Sequence, residues 1–299
     1  LTLCIIYLIG RINMINTVVF IVVTLIFVGL TFLFNFFGKR LVNNYWFWAV
    51  PSLVFLIYFI AIRYWNDWVS FHDYLEANGS IWMRPVPVLY EDSVVVSKAL
   101  LLDMCPFVSL ALPISLIVDK SRRLAQTLAP FAILGAGVTI PFVTFSDPSA
   151  ELSLKYFFVG NDLPIYFFMH FYLMVYGTMV LSNSRNRKWI NLLDVHLFAV
   201  FYFGYVCFVS YTTNTVWNVT GINENDWTYG EYRAVKDIFH LGWPWVMVVS
   251  FFLGYVFIVG IVSINIWWKI QKQKKDPKFI NPKLLKKKRS KIRHHLQTK

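Results

Sequence analysis

The sequence predicts an all-α, polytopic membrane helical bundle of about seven transmembrane helices, with the N-terminus outside and the C-terminus cytoplasmic. Three observations carry that expectation. The 299 residues are 57% hydrophobic and only 15% charged, with a mean hydropathy of +0.54. A soluble domain of this length needs more charged surface. Several apolar runs also continue without a polar face for about 20 residues, the length that crosses roughly 30 Å of hydrocarbon at 1.5 Å rise per residue. Finally, the loops between the runs alternate in charge.

The expected spans are residues 17–37, 45–62, 99–118, 124–145, 163–181, 191–213 and 243–268. The first, second, fourth and seventh contain no charged residue. The third holds Asp103, the fifth His170, and the sixth Asp194 and His196 near one end. Trp and Tyr crowd the span ends in "NNYWFWAV", "RYWNDW", "GWPWV" and "NIWW". There an amphipathic ring sits among lipid headgroups. Residues 1–268 read as one seven-helix transmembrane domain and 269–299 as a basic cytoplasmic tail. Residues 1–16 form a lead-in, and the first methionine, Met14, is the expected start.

Orientation follows from the loops. Lys39, Arg40, Lys120, Arg122, Arg123, Arg185, Arg187 and Lys188 fall in the short connections, with Asp119 as the clear acid among them. The longer connections carry acids, among them Asp67, Asp73, Glu76, Glu91, Asp92, Asp147, Glu151, Asp162, Glu224, Asp226 and Glu231. The positive-inside rule makes the short loops and the tail cytoplasmic, in a multi-pass protein of the cell membrane. The outer segments 63–98 and 214–242 are too long for plain turns and are expected to hold an interfacial helix or a lid.

The net charge of +12 resides in the tail, which has 13 Lys or Arg and one acid from Lys269 to Lys299. Such a tail beside a last span anchors topology and attracts anionic lipid headgroups. No aromatic platform or nucleic-acid fold accompanies it, so no nucleic acid is expected as partner. Three cysteines make no disulfide framework. No cofactor or metal is expected. His72, Asp73 and Glu76 read as a wet loop, and Asp237 with His240 is too weak a pattern for a metal site. The triplets at Asn78 and Asn218 are glycosylation acceptors only in a eukaryotic secretory pathway.

Chemistry concentrates in "LLLDMCPF" and "YFFMHFYLMVYG". Cys105 and His170 each lie about 10 Å below the outer boundary by helical rise, so a thiol and an imidazole at matching depth could meet. A histidine that takes the thiol proton creates a nucleophile suited to acyl transfer. Pro106 lacks an N–H and crowds the Leu102 carbonyl, which predicts a kink within the span. Asp103 lies about 200° from Cys105 on a regular helix and is expected to orient a donor elsewhere. A cysteine in an apolar span is most often inert packing, and Cys207 in "YFGYVCFVSY" is that case. Asn214, His240, Trp243 and Trp245 gather at the same outer face as supporting or substrate-binding candidates.

Taken in order, "LLLDMCPF", "YFFMHFYLMVYG", "YTTNT" and "HLGWPWVMV" resemble the landmarks of the YwaF-type integral membrane family across residues 95–265. Relatives of that family include eukaryotic transmembrane cysteine acyltransferases of ether phospholipids. The resemblance implies Cys105 as nucleophile and His170 as its histidine. It aligns Asn214, Trp243 and Pro244 with the family's later positions, and it implies membrane lipids as partners. Asp103 stands where the family tends to carry His or another polar residue, and Pro106 removes a donor just after the Cys. The function expected is phospholipid remodelling by acyl transfer. A small-solute transporter or binding protein, or a structural membrane protein, is the alternative. A seven-span receptor ranks below these, because span seven has no Asn-Pro-x-x-Tyr pattern and no lysine before Lys269.

Overall fold

In the computed structural model, residues 18–26, 28–30, 33, 39–82, 90–146, 153–160, 165–183, 189–215, 220–222, 224, 227 and 233–275 are described. Every regular element among them is helical. Residues 18–26 and 28–30 form an apolar helix, α1. A short α2 (Lys39–Val42) leads to α3 (Tyr45–Phe59), a π-helical turn (Ile60–Tyr64) and α4 (Trp65–Asn78), which run on as one helix of 34 residues. There follow α5 (Tyr90–Ala99), α6 (Met104–Val118), α7 (Arg123–Ser146), α8 (Leu154–Phe158), α9 (Tyr166–Asn183), α10 (Ile190–Thr213), α11 (Arg233–Phe239) and α12 (Trp245–Lys275).

Among the described residues, five segments are long and apolar enough to cross a membrane: Tyr45–Asn78, Asp92–Val118, Arg123–Ile140, Ile190–Thr213 and Trp245–Gln271. The other two expected spans correspond to α1, a shorter apolar helix, and α9. The latter is the inner helix of the bundle, with ten buried residues including Met169, His170, Leu173 and Gly177. Its polar residues His170 and Tyr172 are shielded by neighbours, which is how a bundle carries a less apolar helix. By contrast Phe201, Phe208 and Tyr211 of α10, and Phe252, Ile264 and Trp268 of α12, are exposed. An apolar exterior of this kind matches hydrocarbon.

Small residues bring α7 and α9 together. A Cβ on Gly177 would sit 3.2 Å from the Ala129 carbonyl oxygen and 3.3 Å from the Ala132 methyl. Close backbone approach is the main attraction between helices where lipid removes the hydrophobic drive. On the opposite side α9 meets α3 through aromatic stacking. The Phe55 and Tyr172 rings are parallel with centroids 3.6 Å apart, and the Tyr172 hydroxyl donates to Ser52 Oγ at 3.0 Å. Phe131 of α7 meets Phe198 of α10 edge-on at 4.8 Å. The outer helix α12 buries Ile258, Val262 and Ile266 in the core, and its Asn265 Nδ2 and Lys269 Nζ both donate to the Leu181 carbonyl near the end of α9.

Two ends of the bundle differ chemically. At the Tyr45 end, Lys120 lies over the Tyr45 ring, and Arg122 lies over Trp48 and donates to the Val42 carbonyl. Arg123 forks onto Asp194 at 2.8 and 2.9 Å, joining α7 to α10. Asp194, near the start of α10, therefore ties two helices together. At the other end α4 carries Asp67 and the trio His72, Asp73 and Glu76, which lie on a helix and not in the loop expected from sequence. The helix passes straight through the boundary expected at residue 62 because residues 63–78 hold no Pro and no Gly. The basic stretch beyond Lys275, residues 1–17, and Asn218 lie outside the described residues.

Candidate functional site

The run 99–118 is not one helix. Its α5 portion stops at Ala99, and Leu101 takes a left-handed backbone conformation (φ 56°). The Leu102 amide donates back to the Ser97 carbonyl at 2.9 Å, and the Leu101 amide to Lys98 at 3.3 Å. This pair of bonds closes a helix end in which glycine ordinarily takes the left-handed position. A leucine there costs of order 1–3 kcal/mol and persists only where its surroundings enforce it.

Three tyrosines supply the enforcement. The hydroxyl of Tyr64 donates to the Ala99 carbonyl (3.3 Å), that of Tyr205 to Leu100 (2.7 Å) and that of Tyr202 to Leu101 (3.2 Å). Carbonyls orphaned at the end of α5 are thus met by side chains from the π-helical turn and from α10.

Asp103 then opens α6 as its N-cap in extended backbone, and its Oδ2 accepts from Ser97 Oγ at 3.3 Å. Cys105 and Pro106 fall in the first helical turn. The missing N–H of Pro106 is one that a helix start leaves unused anyway. The kink expected at Pro106, with a freed Leu102 carbonyl, is therefore corrected to a complete break five residues earlier, at Leu101. Asp103 and Cys105 do not share a regular helix, so the 200° separation does not govern them.

Cys105 is half-buried, with Sγ in the seam between α6 and α7. A Cβ added to Gly135 of α7 would stand 2.7 Å from that sulfur. His170 is 2% exposed on α9. Its Nδ1 lies 2.7 Å from the Tyr166 carbonyl. A carbonyl only accepts, so Nδ1 carries the proton and Nε2 presents the lone pair. The ring also lies 4.4 Å from that of Tyr166.

Sequence reasoning missed the cation of this region. Arg63, in the π-helical turn, is 5% exposed. Its guanidinium lies 5.9 Å from the Tyr166 ring centroid, its Nη1 is 3.6 Å from Met169 Sδ, and its Nε is 3.7 Å from Asp67 Oδ2. No sequence signal marked it: a π-turn inserts one residue into a helix, recurs at functional positions, and here turns an arginine at a span end inward.

The remaining candidates lie elsewhere. Asn214 is the left-handed C-cap of α10 (φ 54°), about 13 Å along the axis beyond Tyr205. "YTTNT" works as a helix terminator: Ser210 Oγ donates to the Thr215 carbonyl at 2.7 Å, and the Thr213 and Thr215 hydroxyls pair at 2.6 Å. Trp227, 1% exposed, donates to the Gly221 carbonyl and organises part of the connection to α12. Gly221 is required there, since a Cβ would fall 2.8 Å from the Trp227 ring. His240, Trp243 and Trp245 are all exposed at the start of α12.

The family of unknown function DUF5378 matches residues 22–294. The chain belongs to that family. It is similar to Uncharacterized protein MG135 of Mycoplasma genitalium, with 31% identity over 196 residues, 63% of this chain and 70% of the relative. It is also similar to the MG135 homolog of Mycoplasma pneumoniae, with 32% identity over 183 residues, 58% of this chain and 64% of that protein. No solved structure matches. The DUF5378 match covers all the helices from α2 to α12, and so includes the broken α5–α6 span, Arg63 and His170.

Proposed function

We propose that this membrane protein remodels lipid by acyl transfer, with Cys105 as nucleophile and His170 as general base and then acid. The observation that carries the reading is the fixed tautomer of His170: Nδ1 is committed to the Tyr166 carbonyl, so Nε2 is the acceptor a thiol proton requires. Cys105 contributes by position, in the first turn of α6, where the helix dipole favours a negative sulfur. The resemblance of "LLLDMCPF" and "YFFMHFYLMVYG" to the YwaF-type family supports the same pair. Under the positive-inside orientation, with seven spans and the N-terminus outside, both residues belong to the extracytoplasmic leaflet.

In that reaction the Cys105 sulfur attacks the acyl carbonyl of a phospholipid while His170 takes the thiol proton. The tetrahedral intermediate collapses to a thioester, and His170 returns the proton to the departing lysolipid oxygen. A hydroxyl of a second lipid, or water, then attacks the thioester with His170 again as base, which restores the thiol. Proteoliposomes with an acyl-labelled phospholipid test this. Transfer is expected to vanish in Cys105→Ala and His170→Gln, with hydroxylamine-sensitive label on the wild-type chain alone. Transfer that persists in Cys105→Ala overturns the reading.

The break between α5 and α6 favours a second reading, the binding or passage of a small solute, because discontinuous helices in membranes place backbone groups at substrate sites. A flux assay in the same proteoliposomes separates the two.

A further inference from the structure

We propose that Arg63 anchors an anion-binding site at the α4 end of the bundle, one that takes a phosphate or carboxylate group. The argument begins with the donors. A guanidinium presents five N–H groups in a rigid planar fork whose best match is a bidentate oxyanion. Arg63 is 5% exposed, so water satisfies little of that fork. Among the described residues its neighbours are poor acceptors. The Met169 thioether at 3.6 Å is a weak one, and the Asp67 carboxylate stands at 3.7 Å, an ion-pair distance longer than a charge-assisted hydrogen bond. The Tyr166 ring, 5.9 Å away, offers its face and no lone pair. Among the described residues no oxyanion meets this fork in bidentate fashion, the geometry a guanidinium prefers.

The surroundings fit an incoming anion. Lys98 stands in the last turn of α5, next to the Ala99 carbonyl that Tyr64 holds, so a second cation belongs to the same end of the bundle. Tyr64, next in the π-turn, is tied to the Ala99 carbonyl, so the backbone presenting Arg63 is pinned to the broken span. The Tyr166 ring links the guanidinium to His170, 5.9 Å from the one and 4.4 Å from the other. The inference goes beyond acyl transfer and does not rest on it, since it requires no reaction at Cys105.

The test uses the full chain in the Cys105→Ala background, purified in uncharged detergent, with melting temperature as readout. The probes are inorganic phosphate, acetate, dihexanoyl phosphatidylglycerol and dihexanoyl phosphatidylcholine. The expected result is a concentration-dependent rise in melting temperature with at least one anionic probe, lost in Arg63→Gln. A response to inorganic phosphate or acetate assigns a free anion as ligand. A response to either lipid alone assigns a headgroup phosphate, and preference for phosphatidylglycerol is expected because it carries no choline cation to meet Lys98. Arg63→Lys keeps the charge but not the fork, and should bind at least tenfold more weakly. It serves also if Arg63→Gln does not fold. No response to any probe, or equal affinity in Arg63→Lys and the parent, overturns the proposal. Acyl transfer is read separately with intact Cys105, so the failure of either idea leaves the other standing.

Discussion

The Cys105 sulfur rests against the bare backbone of Gly135, where a Cβ would come within 2.7 Å of it. This contact places the thiol in the α6–α7 seam and makes glycine the residue that leaves it room. Gly135→Ala must move the sulfur or part the helices, at about 1–3 kcal/mol. The expected outcome is a lower melting temperature together with faster labelling of Cys105 by a small maleimide. Unchanged values for both would show that the seam has slack the structure does not have.

Gly177 makes the same argument for the α7–α9 interface, with an internal control. Its missing Cβ faces a backbone carbonyl at 3.2 Å, which cannot rotate away, so Gly177→Ala should destabilise by about 1–3 kcal/mol. Gly204 and Gly260 lie in helices with nothing within 4 Å of an added Cβ. Alanine there should leave the protein as stable or up to about 1 kcal/mol more stable, because it restricts the unfolded chain. Thermal unfolding of the three variants in one detergent compares them directly.

The tyrosine hydroxyls at the α5–α6 break should act together. Each of Tyr64→Phe, Tyr202→Phe and Tyr205→Phe removes one donor from a carbonyl that no helix satisfies, at about 0.6–1.5 kcal/mol. The double variant at 202 and 205 should lose more than the sum, since both hold the strained turn at Leu101. Hydrogen exchange at the Leu101 and Leu102 amides reports it, and is expected to quicken in each variant while the middle of α7 stays protected.

The connection between α6 and α7 has a pH dependence of known sign. Partial burial of Asp119 raises its pKa, but hydrogen bonds from the Ser121 hydroxyl and amide and the Leu124 amide outweigh this and hold the carboxyl below its ordinary value. A group depressed on folding contributes stability that is present above its unfolded value, near 4, and disappears as pH falls through the folded one. Stability should thus fall on acidification below about pH 4 in the parent and less so in Asp119→Asn. At pH 7 that variant should be less stable by about 0.5–2 kcal/mol, the worth of a helix-start carboxylate. Equal acid sensitivity in both proteins would remove Asp119 from the account.

Membrane character, helical class and the approximate position of most spans were legible in the sequence because lipid imposes them locally. A run such as "WVMVVSFFLGYVFIVGIVSINIWW" has no other stable arrangement in hydrocarbon, whatever its neighbours do. Composition also marked Cys105 and His170, since ionisable and nucleophilic groups are costly there and stand out. The tertiary structure decided what no window of sequence contains. "ALLLDMCPF" reads as one helix kinked at Pro106 until tyrosines from the π-turn and from residues 202 and 205 reach its carbonyls and hold Leu101 in a left-handed turn. In sequence Arg63 is the residue just past the expected end of the second span, and only the π-turn sets it against Met169 and Tyr166. Both outcomes depend on partners distant in the chain: a backbone carbonyl away from water needs a donor at hydrogen-bond distance, and a guanidinium turns inward only where packed side chains receive it, and only the packed bundle supplies either.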